Sequence, residues 1–148
     1  MKTHLFIKIT LIYFAITLSS FGAQSVYFEK AVKLFKVNKI KESKILFERD
    51  IAFNPKSEKS YLYLAKISKK NEKNDELEIN LNNVLLLNPQ NDEAIYLLVL
   101  LRIKQSDYEG AKKLIDQFTL VCNSFCSKEE EIKEKLLILS PENEQSKN

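Results

Sequence analysis

Histidine, glycine and tryptophan are scarce or missing in this chain of 148 residues, which has one His, two Gly and no Trp. The histidine is His4 and one glycine is Gly22, so beyond residue 25 there is no imidazole and Gly110 stands alone. A Ser-His-Asp triad, a histidine-ligated metal and a histidine general base are thereby excluded from that part. Glycine-rich phosphate loops are excluded as well, because their close backbone approach needs glycines in pattern. Two cysteines are too few for a disulfide-built scaffold. With 45% hydrophobic and 29% charged residues the chain has enough apolar mass for one medium domain and is no disordered acidic tail.

What is present begins with an apolar N-terminus. Lys2 and Lys8 supply positive charge, residues 9–18 carry none, and small polar residues follow. That is the grammar of a signal peptide over residues 1–25, and the uncharged run is too short to span a bilayer, which takes about 20 apolar residues. Ser20-x-Gly22 and Ala23-x-Ser25 offer small residues for cleavage. The expected location is therefore outside the cytoplasm, in the periplasm or cell envelope. The alternative is an uncleaved anchor over residues 5–23 with Lys8 reaching the headgroups, the one case in which membrane contact is expected.

Beyond residue 25, 21 basic side chains face 20 acidic ones, too small an excess for nucleic-acid binding. The distribution is uneven: residues 26–73 carry 13 basic and 6 acidic side chains, net +7, and residues 74–148 carry 8 and 14, net −6. Such polarity suits solvated helix faces, an anionic partner, or pairing of unlike ends. Cys122 and Cys126 are separated by three residues, and an oxidising compartment favours a disulfide between them. The spacing is not the C-x-x-C of thiol oxidoreductases and no base stands ready to activate a thiolate, so a thiol enzyme finds no support.

A period of 34 residues organises the rest. Asn54-Pro55 recurs as Asn88-Pro89, and the same offset links Tyr27, Tyr61 and Ile95; Ala31, Ala65 and Val99; and Phe47, Leu81 and Ile115. Leu77, Leu81, Val84 and Leu85 follow the i, i+4, i+7, i+8 spacing of an apolar helical stripe. The charged stretch from Lys69 to Asp75 is a turn, and proline at 55 and 89 stops a helix. Each period thus holds two antiparallel helices, and stacking buries the apolar face that one pair leaves over. Ser127 and Glu130 have capping-box spacing, which predicts a further helix over 127–139 whose Ile132, Leu136 and Leu139 would cover the last pair. Glu129, Glu130 and Glu131 are explained by the helix dipole, with no metal role. Residues 141–148 are polar and predicted to be disordered.

The period, the aromatic at Tyr61, the Leu64-Ala65 pair, Leu77, Leu81 and Pro89 resemble the tetratricopeptide repeat, as do Leu98-Val99, the turn from Ser106 to Ala111, and Ile115. The resemblance covers residues 24–123 as units of about 24–57, 58–91 and 92–123, and implies an all-α fold, a right-handed α-solenoid of antiparallel helix pairs. Asn123 replaces the proline of the third unit, and Lys30 and Asp50 depart from the pattern in the first. The family's first helices line a concave groove that binds a peptide or protein. By that resemblance Phe28 and Phe35, then Lys59, Leu62, Lys66 and Lys69, then Tyr96, Leu100 and Ile103 face inward, making a greasy, basic groove. No Asn occupies that face, so the Lys-Asn carboxylate clamp is not reproduced. Residues 94–101 are apolar nearly all round, which calls for burial in the stack, a partner helix or self-association. The expected function is a non-catalytic scaffold of the envelope, without cofactor or metal, for an unidentified protein or peptide. The alternative is a membrane-tethered subunit of an envelope assembly complex.

Overall fold

Positive φ angles occur at Asn38 (60°), Glu72 (56°) and Ser106 (61°), which places a left-handed backbone residue every 34 positions. Each ends one helix and turns the chain into the next. The backbone N–H of Lys39 reaches Leu34 O, that of Lys73 reaches Ser68 O, and that of Asp107 reaches Arg102 O, at 2.9, 3.0 and 2.9 Å. These are the closing bonds of a helix terminated by a left-handed residue, satisfying carbonyls the helix leaves open.

The computed structural model describes residues 25–140. The signal or anchor reading of the N-terminus, apart from Ser25, and the tail at 141–148 lie outside the described residues. Seven α-helices and no strand are found among the described residues: α1 (Val26–Lys36), α2 (Ile40–Phe53), α3 (Glu58–Lys70), α4 (Asn74–Leu87), α5 (Asp92–Lys104), α6 (Tyr108–Val121) and α7 (Glu129–Leu139). α1 with α2, α3 with α4, and α5 with α6 pack as antiparallel hairpins; each hairpin leans on the next, and α7 packs on α5 and α6. This is an all-α, right-handed solenoid.

Local signals set the helix ends. Ser25, Asn91 and Asp107 cap α1, α5 and α6, their side-chain oxygens accepting the N–H of Phe28 (3.3 Å), Ala94 (2.8 Å) and Gly110 (2.9 Å). α2, α4 and α6 end at Asn54, Asn88 and Cys122, again 34 apart. Proline follows the first two, whereas the third ends at the same register without it.

The columns of the period form the core. Ala31, Ala65 and Val99 are fully buried, as are Phe47 and Leu81, with Ile115 nearly so. The small residues let paired helices approach, and each large side chain removed from water contributes roughly 1.5 to 3 kcal/mol. The apolar run at 94–101 is explained within the chain: α5 is buried by α4, α6 and α7, and only Leu100 of that run is half-exposed.

Two expectations for the C-terminal helix need correction. Ser127 does not cap it: Cys126–Lys128 form a single 3₁₀ turn, α7 starts at Glu129, and the preceding Lys128 makes no side-chain cap. The disulfide joining Cys122 to Cys126, with Cα atoms 5.1 Å apart, folds the chain back so tightly that Ser127 lies inside the turn. Ile132 is fully buried and Leu136 half-buried against α5 and α6, but Leu139 is 53% exposed, because the helix has run past the body it covers.

Candidate functional site

α1, α3 and α5 carry all nine residues expected to face inward, and the structure divides them by burial. Phe28, Tyr96 and Ile103 are buried; Phe35, Leu62, Lys66 and Leu100 are half-buried; Lys59 and Lys69 are exposed. The first three therefore serve packing, and the accessible surface is left to the other six.

Tyr63, which the sequence reading passed over, organises the first part of this surface. Its ring stacks on Phe47 with centroids 4.8 Å apart, and Phe28 and Phe35 meet it edge-on at 5.8 and 5.2 Å. Such aromatic pairs add to the area they bury. Lys66 lies over the same ring, with Nζ 5.2 Å from the centroid, and pairs with Glu93 of α5 at 2.8 Å. Phe28, Phe35 and Lys66 are thus brought together through a residue that joins the first hairpin to the second.

Tyr96 organises the second part. Its hydroxyl donates to Glu131 of α7 at 3.1 Å, its ring lies 5.8 Å from that of Phe125, and Lys69 Nζ sits 6.0 Å from its centroid. Partial withdrawal of the Lys69 ammonium from water lowers its pKa from the ordinary lysine value, the Lys135 charge pushes the same way, and the Glu131 and Glu93 carboxylates oppose them. Burial, followed by the hydrogen bond to Glu131, raises the Tyr96 pKa. Lys69 and Leu100 also share a pocket of about 220 Å³ with Leu77, Leu97 and Lys104. Lys59 is exposed and stands apart from both groupings.

The turn after α6 is held by Asp92, whose Oδ2 accepts the backbone N–H of Asn123, Ser124 and Phe125 at 2.8, 2.6 and 2.8 Å. One period earlier, Glu58 Oε1 accepts the side-chain amides of Asn88 (3.1 Å) and Asn91 (2.5 Å). An acid at the start of each of these first helices thus fastens the exit of its own hairpin. That column was open to reading, since Glu58 and Asp92 are 34 apart. No group of three or more His, Cys, Asp or Glu side chains converges on a metal position among the described residues. No described helix is long and apolar enough to cross a membrane.

Among solved structures, the first TPR of Spaghetti (RPAP3) bound to the HSP90 peptide SRMEEVD superposes with a TM-score of 0.68 at 20% identity, over 77% of this chain and 90% of that one. Its fold is the tetratricopeptide-type solenoid. A CopN-Scc3 complex matches with a TM-score of 0.61 at 15% identity, over 76% of this chain and 66% of that one. No protein-family model matches the sequence, and no curated protein matches it.

Proposed function

We propose that the protein is a non-catalytic interaction scaffold that holds a protein or peptide segment on the inner surface of α1, α3 and α5. Residues of about 24–57, 58–91 and 92–123 are its units, and α7 closes the stack. The observation that carries this reading is the helical spacing of Lys59, Leu62, Lys66 and Lys69 on α3, which with half-buried Phe35 on α1 and Leu100 on α5 sets partly accessible apolar groups among cations. Apolar anchors flanked by charge suit a segment with bulky apolar side chains and neighbouring acidic ones. The likeness to a domain bound to an acidic peptide, SRMEEVD, favours the same class of ligand. The binding mode would differ, because the groups named here include Phe35 and no amide side chain of the kind a Lys-Asn clamp uses.

Location in the cell envelope, after export and cleavage behind Ser20-x-Gly22, which leaves the Ser25 cap of α1 in place, belongs to the same proposal. The uncharged N-terminal run and the bridged Cys122 and Cys126 support it. N-terminal sequencing of the exported protein tests it, and an intact Met1 would favour the anchored alternative.

The test of the scaffold reading is affinity capture from native envelope extract, with wild type set against Lys66→Glu combined with Phe35→Ala. Specific partners retained by the wild type should be lost from the double variant while its helical circular dichroism is kept. Identical capture by both would overturn the assignment of this surface.

A further inference from the structure

The two stacking contacts of the solenoid differ at three corresponding positions. Where the first hairpin meets the second, Phe35, Phe47 and Tyr63 bring their rings together: Tyr63 stacks on Phe47 with centroids 4.8 Å apart, and Phe35 meets it edge-on at 5.2 Å. One period later the same registers hold Lys69, Leu81 and Leu97, so no ring stands at any of the three. Leu97 and Lys69 instead line a cavity of about 220 Å³ between the second hairpin and the third. Its floor is apolar, made by the buried Leu77, Leu97 and Leu101 with half-buried Leu100. An apolar cavity of about 150 Å³ suffices for benzene, so this one has room for a single ring. Its solvent side is polar: exposed Lys69, Lys104 and Glu72 stand there with Asn74, two cations to one carboxylate. Lys104 Nζ donates to Asn74 Oδ1 at 3.2 Å, and neither lysine forms an ion pair among the described residues, whereas Lys66 pairs with Glu93 at 2.8 Å.

We propose that this cavity is a subsite for one aromatic side chain of the segment the scaffold holds, with a carboxylate of the same segment beside Lys69 and Lys104. The inference rests on the scaffold reading and deepens it by naming the side chain that the second stacking contact selects. Lys69 and Leu100 belong both to the cavity and to the helix faces assigned to segment binding, so the two surfaces are continuous. A ligand ring seated against Leu97 supplies from outside what Tyr63 supplies within the chain one period earlier. Lys66 already lies over the Tyr63 ring, 5.2 Å from its centroid, and Lys69 at the rim can meet a ligand ring in the same way. An aliphatic side chain offers no such face. The excess of one positive charge at the rim favours a single carboxylate, and Glu72 disfavours a multiply charged anion such as a phosphate.

The probe is 3-phenylpropionate, a ring joined to a carboxylate by a short linker, and two-dimensional NMR of the purified full-length chain reads its binding. Saturable shifts should centre on the amides of Lys69, Leu97 and Leu100. The aliphatic acid 4-methylpentanoate should bind about threefold more weakly, for want of a ring face. The amine 2-phenylethylamine, with the opposite charge, should bind about tenfold more weakly. Lys69→Phe puts at this exposed position the ring that Phe35 provides one period earlier, and should abolish the shifts with circular dichroism unchanged. Lys69→Gln leaves the cavity open and should weaken the probe about threefold. Absence of saturable shifts in the wild type would overturn the subsite, as would undiminished binding by Lys69→Phe, or equal affinity for the aliphatic acid or the amine. The scaffold reading fails separately, because Lys66 and Phe35, the residues changed in its capture test, do not line the cavity.

Discussion

Asp92 Oδ2 receives the N–H of Ser124 at 2.6 Å across a separation of 32 residues, and the N–H groups of Asn123 and Phe125 reach the same oxygen. One carboxylate oxygen thus holds the turn where the third period lacks its proline. Burial pushes the Asp92 pKa up, but the backbone N–H groups of Asn123, Phe125, Ser124 and Glu93 outweigh it and hold it below the ordinary aspartate value.

Removing that acceptor should loosen the docking of α7 on α5. Asp92→Ala is expected to cost about 1 to 2 kcal/mol by urea denaturation, less than three buried bonds would suggest because water can reach part of the turn. Reduction of the Cys122–Cys126 bridge should cost about 2 kcal/mol on the chain-entropy account of so short a loop. The bridge and the carboxylate hold one turn, so the two losses should be non-additive by at least about 0.5 kcal/mol in a double-mutant cycle. Additive losses would separate them.

Much of the fold was legible because a 34-residue period is a one-dimensional signal: Asn-Pro exits, small residues at Ala31 and Ala65, and large ones at Phe47 and Leu81 all recur. The surface was less legible. Whether an inward aromatic is free or buried depends on which neighbour covers it, and Tyr96 is covered by α7 and Phe125, which no periodicity places. Phe28 is covered by Tyr63, a residue off the repeating columns. Asp50, which fits the pattern poorly, was itself the visible trace of a polar core whose partners only the packing reveals. The Ser127 capping box failed for a comparable reason, since Ser127 lies inside the turn that follows the bridged cysteines and the helix starts two residues later.

The left-handed residues between paired helices offer a stabilising substitution. Glu72 and Ser106 hold φ angles of 56° and 61°, a region that disfavours side chains with a Cβ and admits glycine freely. Glu72→Gly and Ser106→Gly should each raise stability by up to about 1 kcal/mol, the local relief exceeding the greater flexibility of the unfolded chain. Asn38→Gly should gain less, as asparagine already tolerates this conformation. Glu72→Val should lose more than about 1 kcal/mol. Thermal unfolding of the four variants checks the order, and a destabilised Glu72→Gly would contradict it.

Acid stability should depend on Glu131. Its hydrogen bond from Lys128, with those from Tyr96 and Lys135, lowers its pKa from 4.5 to about 2. A carboxylate whose folded pKa lies below its unfolded value stabilises the protein fully above the unfolded value, and that stabilisation is lost as pH falls towards the folded one. The window runs from about 4.5 down to about 2. Exposure and salt screening reduce the effect below what the shift alone implies. Glu131→Gln should flatten the fall of melting temperature across this window while leaving the slope near neutral pH unchanged. Added salt should shrink the difference between the two proteins.

Asp50 gives the sharpest mutational test, because a carboxylate only 1% exposed joins four segments. Its Oδ1 accepts the hydroxyl of Ser25, the cap of α1, and its Oδ2 accepts those of Ser57 and Ser60 at 2.5 Å each. Ser57 precedes α3 and the fully buried Ser60 lies within it. Asp50→Ala strands the Ser60 hydroxyl away from water and also releases the Ser25 cap from α2, so a loss of about 2 to 4 kcal/mol is expected. Asp50→Asn keeps an acceptor and should lose less. Amide hydrogen exchange supplies the discriminating readout: Asp50→Ala should accelerate exchange in α1 and the first turns of α3 while α5, α6 and α7 keep their protection. A uniform loss of protection along the solenoid would mean that Asp50 supports the whole stack rather than the docking of its first helix.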